Sequence, residues 1–154
     1  VLSSLNLTAT AIDFSDKMCA LSKSRVPQAS IIHGEFLRYP FISKYDVVVA
    51  SAFVHLFPAP WDQSVVDKIY ELLTTGGVAL LTTPLHGLQS SSLGLKSYPD
   101  IERWRWRTQY TNSSFEKLLL RAGFYIHDYY VAPDWRQGDS DSWGCWILSK
   151  EDIE

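Results

Sequence analysis

Four stretches of the chain carry residue types that could do chemistry. Asp13 closes the short apolar and β-branched run Leu7–Asp13. In nucleotide-binding α/β folds an acid in that position takes the two ribose hydroxyls, because one carboxylate offers two acceptor oxygens to two neighbouring donors. The same acid also reads as a helix-entry group that assists a cap, and Asp13 alone does not decide between the two. Gly34-Glu35-Phe36 ends a second run. Its acid could accept from an exocyclic amine and its ring could offer a stacking face; a plain strand-ending turn explains the same residues. Ser51 and Ala52 are small enough to let backbone approach a ligand, and Phe53 and His55 follow them. His55 could act as a base or orient a substrate, although a lone histidine before an apolar Leu-Phe pair is more often structural. Finally, Trp104 and Trp106 alternate with Arg103, Arg105 and Arg107. They could hold an aromatic or anionic substrate by stacking and cation–π contact. The preferred reading is an amphipathic surface helix whose rings pack down and whose arginines stay wet, with some ring surface left to line a pocket.

These residues need elements to hold them. Tyr45–Ser51 contains an unbroken Val47-Val48-Val49-Ala50 run, which predicts an interior parallel strand covered on both faces. Before it, Leu7–Asp13 reads as a strand and Asp16 to about Ser24 as a helix capped by Ser15, with Met18, Leu21 and Cys19 inward. Ala29–His33 reads as a second strand, and the tail of a helix is expected over Val1–Leu7. After the central strand, Asp62 is a candidate cap for a helix in which Val65, Val66, Ile69, Leu72 and Leu73 share a face. Gly76-Gly77 should end that helix, and Val78–Thr83 should form another buried strand. Thr111 should cap a helix presenting Phe115, Leu118, Leu119 and Ala122, stopped by Gly123. Phe124–Ala132 and Trp143–Ser149 read as an antiparallel edge pair joined by the polar loop Pro133–Ser142. Strands alternating with helices predict a doubly wound α/β domain, and 84–111 reads as an excursion over its top.

Composition narrows the function classes. The chain has 154 residues, 46% of them hydrophobic and 20% charged, with a net charge of −3. That is enough for one domain with a core, and the charge argues against a nucleic-acid footprint over the whole surface. No run is long enough to span a bilayer. The two cysteines, Cys19 and Cys145, fit no metal spacing, so no metal site is expected, and a reducing, cytoplasmic setting is. Neither a phosphate-loop pattern nor Gly-x-Gly-x-x-Gly occurs.

Taken together, Ala11-Ile-Asp-Phe-Ser-Asp-Lys-Met18, Ile32-His-Gly-Glu-Phe36, Lys44-Tyr-Asp-Val-Val-Val-Ala-Ser51, Ile69 to Thr83 and Tyr110 to Phe124 resemble the class I S-adenosylmethionine-dependent methyltransferases. The resemblance implies a Rossmann-like doubly wound sheet, mostly parallel, with an antiparallel strand pair at the carboxyl end. It implies one partial methyltransferase domain over 1–154, with 84–111 capping the substrate, and S-adenosylmethionine as cofactor. Asp13 would bind the ribose with Phe14 beside the adenosine, Glu35 and Phe36 would flank the adenine, and Ser51 and Ala52 would lie near the methionine end. Phe53, His55, Trp104 and Trp106 would meet a small-molecule acceptor, with His55 as the base if the acceptor must lose a proton. Neither nucleic acid nor membrane is expected as a partner. The family's first strand and helix, with the glycine-rich loop that cradles the methionine part, should precede Asp13 and do not. Because position 1 is Val1, a fragment of a longer enzyme is the favoured reading, one that by itself binds the cofactor weakly or not at all. The alternatives are a non-catalytic methyltransferase-like binding module and a nicotinamide-dependent oxidoreductase.

Overall fold

A computed structural model describes residues 7–98, 101–133 and 142–151. The expected helix tail at Val1–Leu7, except Leu7 itself, and the 134–141 part of the polar loop lie outside the described residues. The chain divides into two units, Val1–Phe41 and Ile42–Glu154.

In the first unit, β1 (Thr10–Asp13) and β2 (Ser30–His33) pair in parallel, and α1 (Asp16–Arg25) connects them. Parallel neighbours need such a crossover. Ser15 caps α1 as expected, its hydroxyl accepting from the Met18 amide. Only Cys19 of α1 is buried; Met18 and Leu21 are exposed, contrary to the inward positions expected for them. The helix is too short and too polar all round to define an apolar stripe.

The second unit is built on a four-stranded sheet in the order β3 (Tyr45–Ser51), β4 (Leu73–Leu85), β8 (Ser142–Ser149), β7 (Tyr125–Pro133). β3 and β4 are parallel, and β8 runs antiparallel to both of its neighbours. The expected carboxyl-terminal pair is therefore present, with β7 as the edge. α2 (Trp61–Leu72) buries Val65, Val66, Ile69 and Leu72, and α3 (Asn112–Ala122) buries Phe115, Leu118 and Leu119. Thr111 and Ser114 form a reciprocal capping box on α3, and Gly123 ends it at φ 96°, a left-handed value that glycine adopts freely. α2 ends before the glycine pair, at Leu72, so Gly76 and Gly77 lie within an irregular start of β4 rather than at a helix end.

One face of this sheet is closely packed. Val48, Ala50, Ala79, Leu81, Trp146 and Leu148 share it by register, and Phe115 of α3 lies 4.6 Å from Trp146, ring centre to ring centre. Trp146 is fully buried and folds back over Gly144, where an added Cβ would lie 2.3 Å from the indole. Each such fully buried large side chain contributes about 1.5–3 kcal/mol. The other face differs from expectation. Val47 and Val49 are 61% and 59% exposed, so the valine strand is covered on one side only among the described residues.

Residues 90–109 correct a second expectation. Instead of a surface helix, β5 (Ser90–Tyr98) and β6 (Ile101–Gln109) form an antiparallel hairpin. Its base is tied down by three contacts: the Leu85–Tyr110 bridge, a 2.7 Å bond from the Thr108 hydroxyl to the Phe57 carbonyl, and a 2.9 Å bond from the Tyr110 hydroxyl to Asp62. Asp62 is thus not the cap of α2. It lies 3% exposed inside the unit, and Pro60 occupies the cap position. Burial and the neighbouring carboxylate push the Tyr110 hydroxyl far above its ordinary pKa, so it remains a donor. Replacing Tyr110 by Phe would leave a buried carboxylate oxygen without its donor. Urea unfolding of Tyr110→Phe should show a loss of about 1–3 kcal/mol; an unchanged midpoint would show that the bond carries no stability.

Candidate functional site

In the first unit, register places Asp13 beside His33 at the carboxyl ends of β1 and β2, with Gly34, Glu35 and Phe36 following directly. Asp13 Oδ1 accepts from the Ser15 amide at 2.7 Å, which is the helix-entry role. Its Oδ2 has no partner among the described residues. Phe14 beside it is 73% exposed, an unusual placement for a phenyl group. Glu35 is exposed and pairs with Arg38 at 3.1 Å. Phe36 is half-buried, its ring 5.7 Å from that of Phe41. Asp13, Phe14, Glu35 and Phe36 thus all lie at one end of a two-stranded parallel sheet, the end where open α/β sheets bind ligands.

In the second unit, Ser51 and Ala52 lie at the carboxyl end of β3. The Ala52 amide donates to the Thr82 carbonyl at 3.0 Å, and the Ser51 and Thr82 hydroxyls are 2.9 Å apart. Ala52 has φ 53° without being glycine. A left-handed alanine costs about 1–2 kcal/mol, and such strain concentrates at ligand sites. The chain then turns through a one-turn 3-10 helix, Val54–Leu56. Phe53 precedes it, half-buried, its ring edge-on to Phe57 at 5.1 Å.

His55 lies in that turn, 7% exposed, and its Nδ1 has no hydrogen-bond partner among the described residues. Burial holds its pKa down at about 4, and the nearby positive charges of Arg107, Arg105, His86 and Lys96 push the same way. The imidazole is therefore neutral at physiological pH. It can orient or hydrogen-bond a substrate, but with so low a pKa it is a weak acceptor of a full proton. No sequence feature pointed to these cations as neighbours of His55, because they lie in later segments of the chain.

Trp104 and Trp106 share one face of β6, opposite Leu95 and Leu93 of β5. Trp104 is 68% exposed, and the Trp106 N–H donates to the Ser91 hydroxyl at 2.8 Å. By strand alternation Arg103, Arg105 and Arg107 point to the opposite face. The rings and the guanidinium groups therefore do not build one cation–π platform. Among the described residues there is no group of metal-ligating side chains, and no helix is long and apolar enough to cross a membrane. Both cysteines are buried and free.

Parallel strands joined through helices, with an antiparallel pair at the carboxyl end, make a Rossmann-like α/β protein. The comparisons with known proteins take this further. The family described as Methyltransferase domain matches residues 2–77. No curated protein matches the sequence significantly. A solved S-adenosylmethionine-dependent methyltransferase from Methanosarcina mazei shares the fold with a TM-score of 0.81 at 18% identity, over 97% of this chain and 84% of that one. A glycopeptide N-methyltransferase, solved with S-adenosylmethionine, gives 0.71 at 14% identity over 97% of this chain and 80% of its own. The 1,6-didemethyltoxoflavin-N1-methyltransferase of Burkholderia thailandensis, solved with its acceptor and S-adenosylhomocysteine, gives 0.71 at 15% identity over 93% and 61%. Residues 2–77 thus match a methyltransferase domain family, and the chain shares its fold with solved S-adenosylmethionine-dependent methyltransferases.

The depressed pKa of His55 has a consequence for stability. Between pH 6.5 and about 4 the unfolded chain binds a proton at this residue and the folded chain does not, so stability falls as pH is lowered through that window. Between pH 7 and 4.5 this residue should contribute a loss of about 2 kcal/mol. Chemical denaturation at the two pH values should show a correspondingly smaller loss in His55→Gln. An equal loss in both proteins would show that His55 ionises freely in the fold.

Proposed function

We propose that this chain serves S-adenosylmethionine-dependent methyl transfer to a small-molecule acceptor. The observation that carries the reading is the free Oδ2 of Asp13, beside an exposed Phe14, within the stretch that matches the methyltransferase family. The fit to the cofactor is good on the adenosine side. Asp13 would accept from a ribose hydroxyl, Phe14 would lie against the adenosine, and Glu35 and Phe36 would flank the base with one acceptor and one ring.

When bound, the cofactor supplies a methyl group on a sulfonium, open to displacement by an electron pair. The residues of the chain position the reactants for that event rather than take part covalently. Ser51 and Ala52 give close backbone approach at the end of β3. Phe53, His55, Trp104 and Trp106 would meet the acceptor. His55, neutral and buried, would hold an acceptor hydrogen-bonding group in place, and it would receive a proton only from an acceptor already acidified by its surroundings.

A glycine-rich loop is the family's means of holding the methionine part, and these 154 residues contain none. Titration calorimetry with S-adenosylhomocysteine should therefore give a dissociation constant weaker than micromolar, and Asp13→Asn should weaken it about tenfold more, the scale of one charge-assisted bond. Micromolar affinity would show that the loop is dispensable. Binding that Asp13→Asn leaves unchanged would contradict the ribose role of Asp13.

A further inference from the structure

We propose that His33 is a positioning residue of the cofactor site: its imidazole fixes the backbone at Phe14 and so holds that residue where it can meet the adenosine. The proposal rests on the methyl-transfer reading and adds to its cofactor site a residue from the strand beside Asp13.

Nε2 of His33 lies 3.0 Å from the Phe14 carbonyl oxygen. A carbonyl oxygen only accepts, so Nε2 carries the hydrogen and donates it. The same peptide group presents the Ser15 amide, which donates to Asp13 Oδ1 at 2.7 Å. In a trans peptide the carbonyl and the N–H point to opposite sides. The Phe14–Ser15 peptide plane is therefore gripped on both sides, by Asp13 from within the turn and by His33 from β2. One residue earlier, the Asp13 carbonyl accepts from the Gly34 amide at 3.0 Å, and one residue later the Ser15 carbonyl accepts from the Cys19 amide at 2.9 Å. Those two bonds join main chain to main chain and form with almost any side chain. The bond to the Phe14 carbonyl needs a donor at position 33, long enough to reach across from the neighbouring strand.

His33 stands in register with Asp13, so the grip acts at the sheet end where the cofactor residues gather. It also couples two of them. Asp13 holds the N–H and His33 the carbonyl of one peptide, which ties the carboxylate proposed for the ribose to the backbone of the residue proposed for the adenosine. Phe14 is 73% exposed, and His33 is exposed as well. A hydrogen bond between such groups adds little to folding, because water offers each an equivalent partner. Its value lies in orientation: a loop ordered before the ligand arrives does not have to be ordered on binding.

The test reads the free and the bound chain separately. In the free chain, nitrogen relaxation of the Ser15 amide reports on the gripped peptide directly. Its motion should increase in His33→Leu and stay close to wild type in His33→Gln, whose side-chain amide keeps a donor. In a titration with S-adenosylhomocysteine followed through the amide signals of Asp13 and Glu35, His33→Leu should bind about threefold to tenfold more weakly, the range of one hydrogen bond. His33→Gln should remain within about twofold of wild type. Unchanged motion in His33→Leu would overturn the proposal, as would increased motion with unchanged affinity, or affinity lost equally in both variants. If His33→Leu fails to fold, His33→Val decides, because it removes the same donor with a residue favoured in strands. A wild-type chain that shows no ligand shifts would overturn the proposal together with the cofactor site. Wild-type binding that ignores the loss of the donor would overturn the positioning role alone, so the two failures are distinguishable.

Discussion

The hydrogen bond between the Tyr110 hydroxyl and the buried Asp62 carboxylate is the constraint on which the second unit's ligand face depends. Asp62 stands one residue into α2, and the turn bearing His55 leads directly into that helix. Tyr110 stands between the cationic strand β6 and the cap of α3. One bond therefore joins the start of one helix, the entry to the other and the base of the hairpin. A buried carboxylate is tolerable only when its oxygens are satisfied; here the Gln63 amide and Tyr110 do so. With the base held, the Thr108 hydroxyl can reach the Phe57 carbonyl, and the arginines of β6 lie where their charge bears on His55.

The first unit follows a simpler logic. Two short parallel strands and one weakly amphipathic helix place an acid and two aromatic rings at a single sheet end. Asp13 uses one carboxylate oxygen to begin α1, and the proposed ribose contact would use the other. Its sheet has two strands, fewer than usually suffice for independent stability, and the exposed Val47–Val49 face of the second unit is likewise short of cover.

Much of this was legible in the sequence. Local signals placed Ser15, Thr111 and Gly123 at helix ends, because caps depend on neighbours within one turn. The valine run marked β3 correctly, yet not its exposure: an unbroken apolar stretch specifies extended backbone, whereas cover is supplied by other parts of the chain. The Trp-Arg alternation over 104–107 has a period of two and belongs to a strand. Its partner strand was hidden in Ser90–Ser92, which by composition resembles a loop. Asp62 resembled a cap because its real partner, Tyr110, is 48 positions away. His55 was legible as a candidate but its burial and cationic setting were not, since these arise from tertiary packing. The places of Asp13, Gly34 and Ser51 at strand ends were readable because strand boundaries follow local patterns of apolar and small residues.

The account stands or falls on whether S-adenosylmethionine meets the sheet end of the first unit. Nuclear magnetic resonance of the isotope-labelled chain at millimolar S-adenosylmethionine would resolve this even at weak affinity. The expected result is a concentration-dependent shift of the amide signals of Asp13, Phe14, Glu35 and Phe36 with one apparent dissociation constant. Shifts centred elsewhere would contradict it.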